Sequence, residues 1–428
     1  MKALVNFYLA LFAVISFAQT PSQQKSSPLQ SAAPEAVGMS PERLAKIDVM
    51  LKEEVSQGHI PGAVALIARK GKIVFYNAYG KDNGETSRPL QKDAVFRIAS
   101  QTKAITATAV MMLWEEGKFQ LDDKISKYIP EFGEAQILDT FNEADSTYTT
   151  KPAENQITIR DLLTHTSGIG YGMIDGDDRF RKIYAKAGII DAFTSEKVLL
   201  SDNIKKLAKL PLHHEPGENW TYSEGLDVLG YLIELISEQP FDEFLKTRIF
   251  EPLEMNDTWF YLPKEKQSRL VAVQVNDSGK WKRFTTPIFD IDYPKKGAMS
   301  YFAGGAGLSS TALDYATFLQ MYLNGGEWNG TRLLSRTTVN IILSNQIGDI
   351  WKGGKSYGLA FELINAKGEV EGGQGSDGTF DWGGYFNTQY FADPNEGVIG
   401  IIMKQTQGPV VNDNQWKFRQ MVFAAIND

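Results

Sequence analysis

Cysteine is absent from all 428 residues. That excludes a disulfide framework, thiolate catalysis and cysteine-ligated zinc. Histidine is nearly absent: His59, His165, His213 and His214 are the four in the chain. His213 and His214 are adjacent, which suits no common metal spacing, and no Gly-x-Ser-x-Gly elbow occurs anywhere. A serine–histidine–carboxylate triad therefore has little to draw on, and each histidine reads as structural. Basic clusters are lacking too. The formal charge is −8 with both signs scattered along the chain, which argues against a nucleic-acid partner. Beyond the first residues, no apolar run is long enough to span a bilayer.

What is present is ordinary for a soluble globular protein, with 43% hydrophobic and 22% charged residues. The length suggests two or three domains and permits a large core without metals or disulfides. "MKALVNFYLALFAVISFAQT" starts with a lysine, Lys2, and runs apolar to Phe17 with one break at Asn6. Small residues Ser16 and Ala18 close it, two apart. This is the pattern of a secretory signal peptide cleaved after Ala18. Residues 1–18 are expected to be removed, and 19–38, rich in Pro, Ser and Gln, to form a flexible leader. No cysteine stands at the cleavage site, which rules out a lipid anchor. The mature protein is expected in the periplasm or secreted, with no stable membrane insertion.

Ser40-Pro41 reads as a capped helix start, followed by Leu44, Ile47, Met50 and Leu51 at helical spacing. "PGAVALIAR" and "KIVFYNAY", joined at Lys70-Gly71, read as a β-hairpin. A helix is expected from Ser100 to Gly117, and further helices near 159–163, 202–207, 226–237 and 241–250. Residues 120–295 carry little strand signal. Later come a helix at 311–324, strands at 357–363, 380–391 and 397–404, and a closing helix at 414–426. The expected fold class is α/β (α+β): an antiparallel sheet flanked by terminal helices, with an inserted, mostly helical domain. Segments 39–98 and 298–428 would form the discontinuous α/β domain, and 99–297 the helical one.

One short spacing carries chemistry. "FRIASQTKAI" places Ser100 and Lys103 three apart where a strand gives way to a helix. The spacing alone is weak, since it recurs at Ser22 and Lys25 in the leader, and a serine at a helix start is most often a cap. The context is stronger. Free N–H groups and the positive helix end favour an anionic transition state. Lys103 falls on the same helix face, with Cβ atoms roughly 5–6 Å apart at such a spacing. Apolar neighbours Ala99, Ala104 and Ile105 would bury it, and desolvation disfavours a charged amine. A neutral amine there can take the serine proton: nucleophile and base on one rigid turn.

"FRIASQTKAITATAVMMLWEEGKFQLDDKISKYIPEF" and "ITIRDLLTHTSGI" resemble the serine β-lactamase and penicillin-binding-protein superfamily, as do "FEPLEMNDTWF", "GGAGLSSTALDYATFLQMYLNGG" and "WGGYFNTQYFADPNEGVIGIIMKQ". Within it they resemble the class C β-lactamase-like group, which includes family VIII carboxylesterases. The resemblance runs from about residue 40 to the C-terminus. It implies the β-lactamase/transpeptidase-like architecture with the active site in the cleft between the two parts. It also implies Ser100 as nucleophile, Lys103 as base, and Tyr222, in "GENWTYSEGLDVLG", as the phenol sharing the proton relay, with Tyr171 as its rival for that role and otherwise expected at the substrate. Trp382, Gly383 and Gly384 fall on the third motif, at the substrate, and the backbone N–H groups of Ser100 and Tyr385 would form the oxyanion hole. Glu224 falls on the second motif, also at the substrate.

Two residues depart from the β-lactamase pattern. Trp382 stands where a lysine attracts the substrate carboxylate, and Glu224 where an asparagine donates to the β-lactam amide. Both changes weaken penicillin recognition and resemble the family's esterases. The expectation is an exported serine hydrolase of the carboxylesterase type acting on a small-molecule ester or amide, without metal or cofactor. The alternatives are a β-lactamase, a peptidase for D-amino-acid peptides, or a non-catalytic penicillin-binding or sensor module.

Overall fold

The computed structural model describes residues 29–86, 88–372, 374–408 and 413–428. The expected signal peptide, and the leader up to residue 28, lie outside the described residues. Helix α1 spans Pro41–Ser56; Ser40 caps it, accepting from the Arg43 amide at 3.3 Å. The hairpin follows as Gly62–Arg69 and Lys72–Gly80. Its turn holds Lys70 at φ 49° and Gly71 at φ 74°, the two consecutive positive values that a two-residue connection needs.

These strands belong to an eight-stranded sheet. Across it the order is Gln30–Ser31, Lys72–Gly80, Gly62–Arg69, Val398–Met403, Thr388–Asp393, Phe380–Gly384, Glu362–Ile364 and Lys355–Tyr357. All neighbours are antiparallel except the short first strand, which pairs parallel with Lys72–Gly80. Gly62–Arg69 lies inside the sheet and is buried along its whole length, as its unbroken apolar run requires. Alternate side chains serve different cores. Ala63, Ala65 and Ile67 pack with Ile47, Leu51, Phe418 and Val422, under α1 and the C-terminal helix Asn414–Ala424. Val64, Leu66 and Ala68 join the larger core on the other face.

That larger core surrounds α2, Thr102–Glu115, whose residues are all buried from Thr102 to Leu113. A helix apolar on every side is an interior helix, so the one lysine on it must find partners inside the protein. Helices α3 (Ile159–Thr164), α4 (Asp178–Ala187), α5 (Leu200–Leu207), α6 (Gly225–Ser237) and α7 (Phe241–Leu245) follow, the last continuing as a π turn through Phe250. The helix Ala312–Leu323 covers the sheet from the same side.

Four expectations require correction. The described end of the expected flexible leader is built into the fold: Gln30–Ser31 pairs with Lys72–Ile73 and Pro34–Val37 forms a 3-10 turn. Residues 357–363 are not one strand: Lys355–Tyr357 and Glu362–Ile364 form a hairpin. The apolar residues between them spend their amides elsewhere, Leu359 on the Ile342 carbonyl and Ala360 on that of Leu163. Residues 380–391 likewise fold back as Phe380–Gly384 and Thr388–Asp393. Asn387 makes that turn at φ 67°, a conformation asparagine tolerates without the usual glycine signal. Between 120 and 295 two further hairpins appear, Gln136–Phe141 with Tyr148–Pro152 and Gln274–Asp277 with Lys280–Arg283. They are largely exposed and so lack the apolar alternation that marks a half-buried strand.

Candidate active site

The short strand Phe96–Arg97 ends beside the large core, and Ala99 turns the chain at φ 45°. A non-glycine residue in this left-handed region is strained and persists only where its surroundings fix it. Ala99–Gln101 form one 3-10 turn that runs into α2. No side chain caps that turn or α2, so the Ser100 hydroxyl is not occupied as a cap. Ser100 is 8% exposed, at the edge of a cavity of about 570 Å³ that Tyr222, Trp382, Gly383 and Tyr385 also line.

Lys103 is completely buried. Its Nζ donates to the Gly305 carbonyl at 2.8 Å, lies 3.3 Å from the Tyr171 hydroxyl and 3.5 Å from Ser100 Oγ. It also stands 4.5 Å from the centre of the Tyr222 ring and 5.2 Å from that of Tyr171. Three oxygens and two aromatic faces thus replace the water that burial removed. The Gly305 peptide is itself held from below. Its N–H donates to Asp227 Oδ1 at 3.2 Å, and a side chain at Gly305 would overlap that carboxylate. Burial raises Asp227 to about 6, against the opposing pull of the Lys103 charge.

The two candidate tyrosines stack at 5.3 Å but differ in surroundings. Tyr222 lines the cavity with Ser100. Tyr171 is buried beneath Lys103 and does not line that cavity, contrary to its expected place at the substrate. Burial and its neighbours Tyr222, Asp227 and Glu224 push the Tyr171 phenol well above its ordinary value. It therefore stays protonated and holds Lys103 rather than accepting a proton.

His165 ends α3 at φ 60° and fixes the segment that carries Tyr222. Its carbonyl accepts from the Thr221 amide at 2.9 Å. Its Nδ1 accepts from the Ser223 amide at 3.2 Å and lies 2.8 Å from Ser223 Oγ. Burial, then the Lys103 charge, keeps the ring well below its ordinary pKa and hence neutral. The structural reading of this histidine matches its surroundings.

Glu224, expected at the substrate, is turned away from it. The side chain is 1% exposed and lies next to Asp191 and Gly172, not in the cavity. Burial first, then the Asp191 charge, pushes its carboxyl well above the usual range. Protonated, it can donate to Asp191, which gives one Glu224 oxygen and Asp191 Oδ1 a partner.

On the sheet side, Trp382 lies 5.7 Å from the Tyr222 ring and 5.6 Å from that of Tyr357, within a cluster that includes Trp220 and Trp351. Gly384 is needed for close approach: a Cβ there would overlap the Ile98 carbonyl and the Thr388 hydroxyl. This absence of a side chain lets Phe380–Gly384 pack on the Ser100 turn and sets the Tyr385 backbone beside it. Gly383 is less crowded and opens on the cavity. Farther along the cavity wall are two cations. Lys355 is ion-paired with Glu362, and Arg419 with Asp381 at 2.6 Å. The sequence reading missed Gly305, Asp227, Lys355 and Arg419, which carry no local signal. It also missed Trp220 and Tyr357, although the tryptophan adjoins "TYSEG".

A family model described as Beta-lactamase matches residues 47–424. The chain belongs to that family. Among relatives of this Beta-lactamase-family chain, Protein Rv1367c of Mycobacterium tuberculosis is 32% identical over 83% of this chain and 88% of its own. Esterase EstB of Burkholderia gladioli is 29% identical over 85% of this chain and 90% of its own. The solved structure of EstCE1, described as a hydrolase with promiscuous acyltransferase activity, superposes with a TM-score of 0.75. It is 24% identical and covers 90% of this chain and 99% of that one, a likeness of fold. The protein is a serine hydrolase of the β-lactamase family with the mixed α/β architecture of that group.

Proposed function

We propose that the protein is an exported carboxylesterase acting through an acyl-enzyme on Ser100. The observation that carries this reading is the Ser100–Lys103 pair at the edge of a cavity that Trp382 also lines. The 3.5 Å contact is the one that reverses when Lys103 is neutral: the amine then accepts the serine proton. Ser100 Oγ bonds to the ester carbonyl carbon, and the carbonyl oxygen becomes an anion facing the Ser100 and Tyr385 N–H groups. Each such donor contributes roughly 3–4 kcal/mol to acyl transfer elsewhere. The carbon–alkoxide bond breaks, and the proton passes from Lys103 through Tyr222 to the departing oxygen. Water then repeats the sequence and releases the acid.

The cavity's cations favour an ester over a carboxylate-bearing β-lactam or peptide. Lys355 and Arg419 are each neutralised by a carboxylate, and Trp382 adds no charge. Export rests on the first 18 residues, whose pattern is that of a signal peptide. The test is turnover of p-nitrophenyl acetate and butyrate beside nitrocefin. Ester hydrolysis should fall by roughly 10⁴-fold or more in Ser100→Ala. Equal hydrolysis by that variant would refute the mechanism, and nitrocefin turnover faster than ester turnover would move the assignment to a β-lactamase.

A further inference from the structure

A second cavity, of about 750 Å³, adjoins the first. Met173, Ile189, Ile190, Phe193, Ile288 and Phe289 line it. Its volume falls in the range of pockets that enclose small organic ligands. The wall between the two cavities is thin. Met173 lines one while the next residue, Ile174, lines the other. Tyr385 lines the Ser100 cavity, and its ring lies 6.2 Å from Phe193 and 6.0 Å from Phe289. Ile174 and Tyr385 are 39% and 36% exposed, so this wall is an open rim rather than a closed partition.

We infer that the second cavity is the acyl-binding chamber, and that the substrate carries an apolar acyl chain several carbons long. The inference rests on the esterase reading above and on one chemical constraint. The departing alkoxide must receive its proton from the Lys103–Tyr222 side. The alcohol half therefore leaves on the side of Tyr222 and Trp382. The acyl half extends the other way from the carbonyl, past Tyr385, and the chamber is what lies there. Four of its five charged lining residues are already engaged: Lys182 is paired with Glu143 and Arg181 with Asp178, Asp191 accepts from the Met173 amide at 2.6 Å, and Asp290 accepts from the Asp292 amide at 2.8 Å; the fifth, Glu196, is exposed. Met173, Ile189, Ile190, Phe193, Ile288 and Phe289 offer an aliphatic and aromatic surface to a ligand, and Ile288 is 65% exposed.

The test varies one half of the ester at a time. With p-nitrophenol constant, kcat/KM should rise roughly fourfold per methylene from acetate, the worth of burying one CH₂, and then fall once the chamber is full. Ala185 lines the chamber from the exposed side of α4, so Ala185→Phe fills it without touching the core. That variant should move the optimum to acyl chains at least two carbons shorter. Phe289→Ala should move it to longer ones. Across acetates of different alcohols, neither variant should alter the order of preference. Ser100-dependent turnover with a flat chain-length profile, or an optimum that neither variant moves, overturns the chamber and leaves the esterase reading intact. Binding supplies a readout independent of turnover. By calorimetry, Ser100→Ala protein should bind p-nitrophenyl octanoate at least tenfold tighter than the acetate, and Ala185→Phe in that background should abolish the difference. Equal affinities would overturn the chamber whether or not the wild type hydrolyses either ester.

Discussion

Among the described residues two lysines are buried to 2% exposure or less, Lys103 and Lys404, and they lie on opposite faces of the same sheet. Lys404 follows the strand Val398–Met403 and faces the layer of α1 and the C-terminal helix, where it donates to Asn414 Oδ1 at 2.5 Å. Desolvation pulls it down to about 7, against the opposing charges of Asp413 and Glu54. Yet Lys404 has nothing to activate, because the oxygen it meets is an amide oxygen with no proton to give. Lys103 meets a hydroxyl at the rim of a cavity, and a bound carbonyl there would lie within reach. Burial prepares an amine for base chemistry; the geometry of its neighbours decides whether any chemistry follows.

The largest expected effect tests that contrast directly. Lys103→Ala should lower kcat for p-nitrophenyl butyrate by roughly 10²–10⁴-fold, the usual contribution of a positioned base. Lys404→Met should leave kcat/KM within about threefold, since no reacting group lies nearby. A hundredfold loss in Lys404→Met, with the fold intact by circular dichroism, would break the comparison.

Buried Lys404 also gives the stability a pH dependence. Lys404 is protonated in the unfolded chain up to an ordinary lysine value near 10.5 but only to about 7 when folded. Between these values the unfolded state binds more protons, so stability rises with pH, by at most about 1.4 kcal/mol per pH unit. Below pH 7 both states hold the proton, and the full cost of burying the charge is present. Replacement by methionine removes both the cost and the slope. The difference in unfolding free energy between Lys404→Met and wild type should therefore shrink steadily from pH 7 to 10. A constant difference would mean that the buried amine keeps its proton.

Much of this arrangement was legible in the chain because it rests on local signals. Ser40-Pro41 and Lys70-Gly71 each specify their own structure, spacing and context singled out Ser100 and Lys103, and the family resemblance added Tyr222 and Trp382. What escaped was set by tertiary contact. Nothing in "GGAGL" says that the Gly305 peptide will bridge Lys103 and Asp227. Nothing near Ala99 announces a positive φ. The hairpin at Tyr385-Phe386-Asn387 lacks a glycine and continues an aromatic pattern, so it reads as strand. Glu224 was misplaced for the same reason: position in a motif gives its neighbours in sequence, not the direction of its side chain.

Glu224 offers the smallest effect and the finest test, because it is a third buried titratable group close to the reaction and yet outside it. In the second motif a carboxylate facing substrate would repel an electron-rich ester, and its neutral amide would change KM strongly. Turned toward Asp191 and held protonated, it is instead a neutral donor that an amide can imitate. Glu224→Gln should then leave KM and kcat for p-nitrophenyl butyrate within about threefold and cost at most about 1 kcal/mol of stability at pH 7. Glu224→Ala removes the donor, leaves the Asp191 oxygen unpaired and opens a void beneath the Tyr171 segment. It should cost roughly 2–4 kcal/mol in urea unfolding while KM stays close to that of the wild type. A tenfold shift in KM with stability unchanged in Glu224→Gln would show instead that this carboxyl faces the substrate.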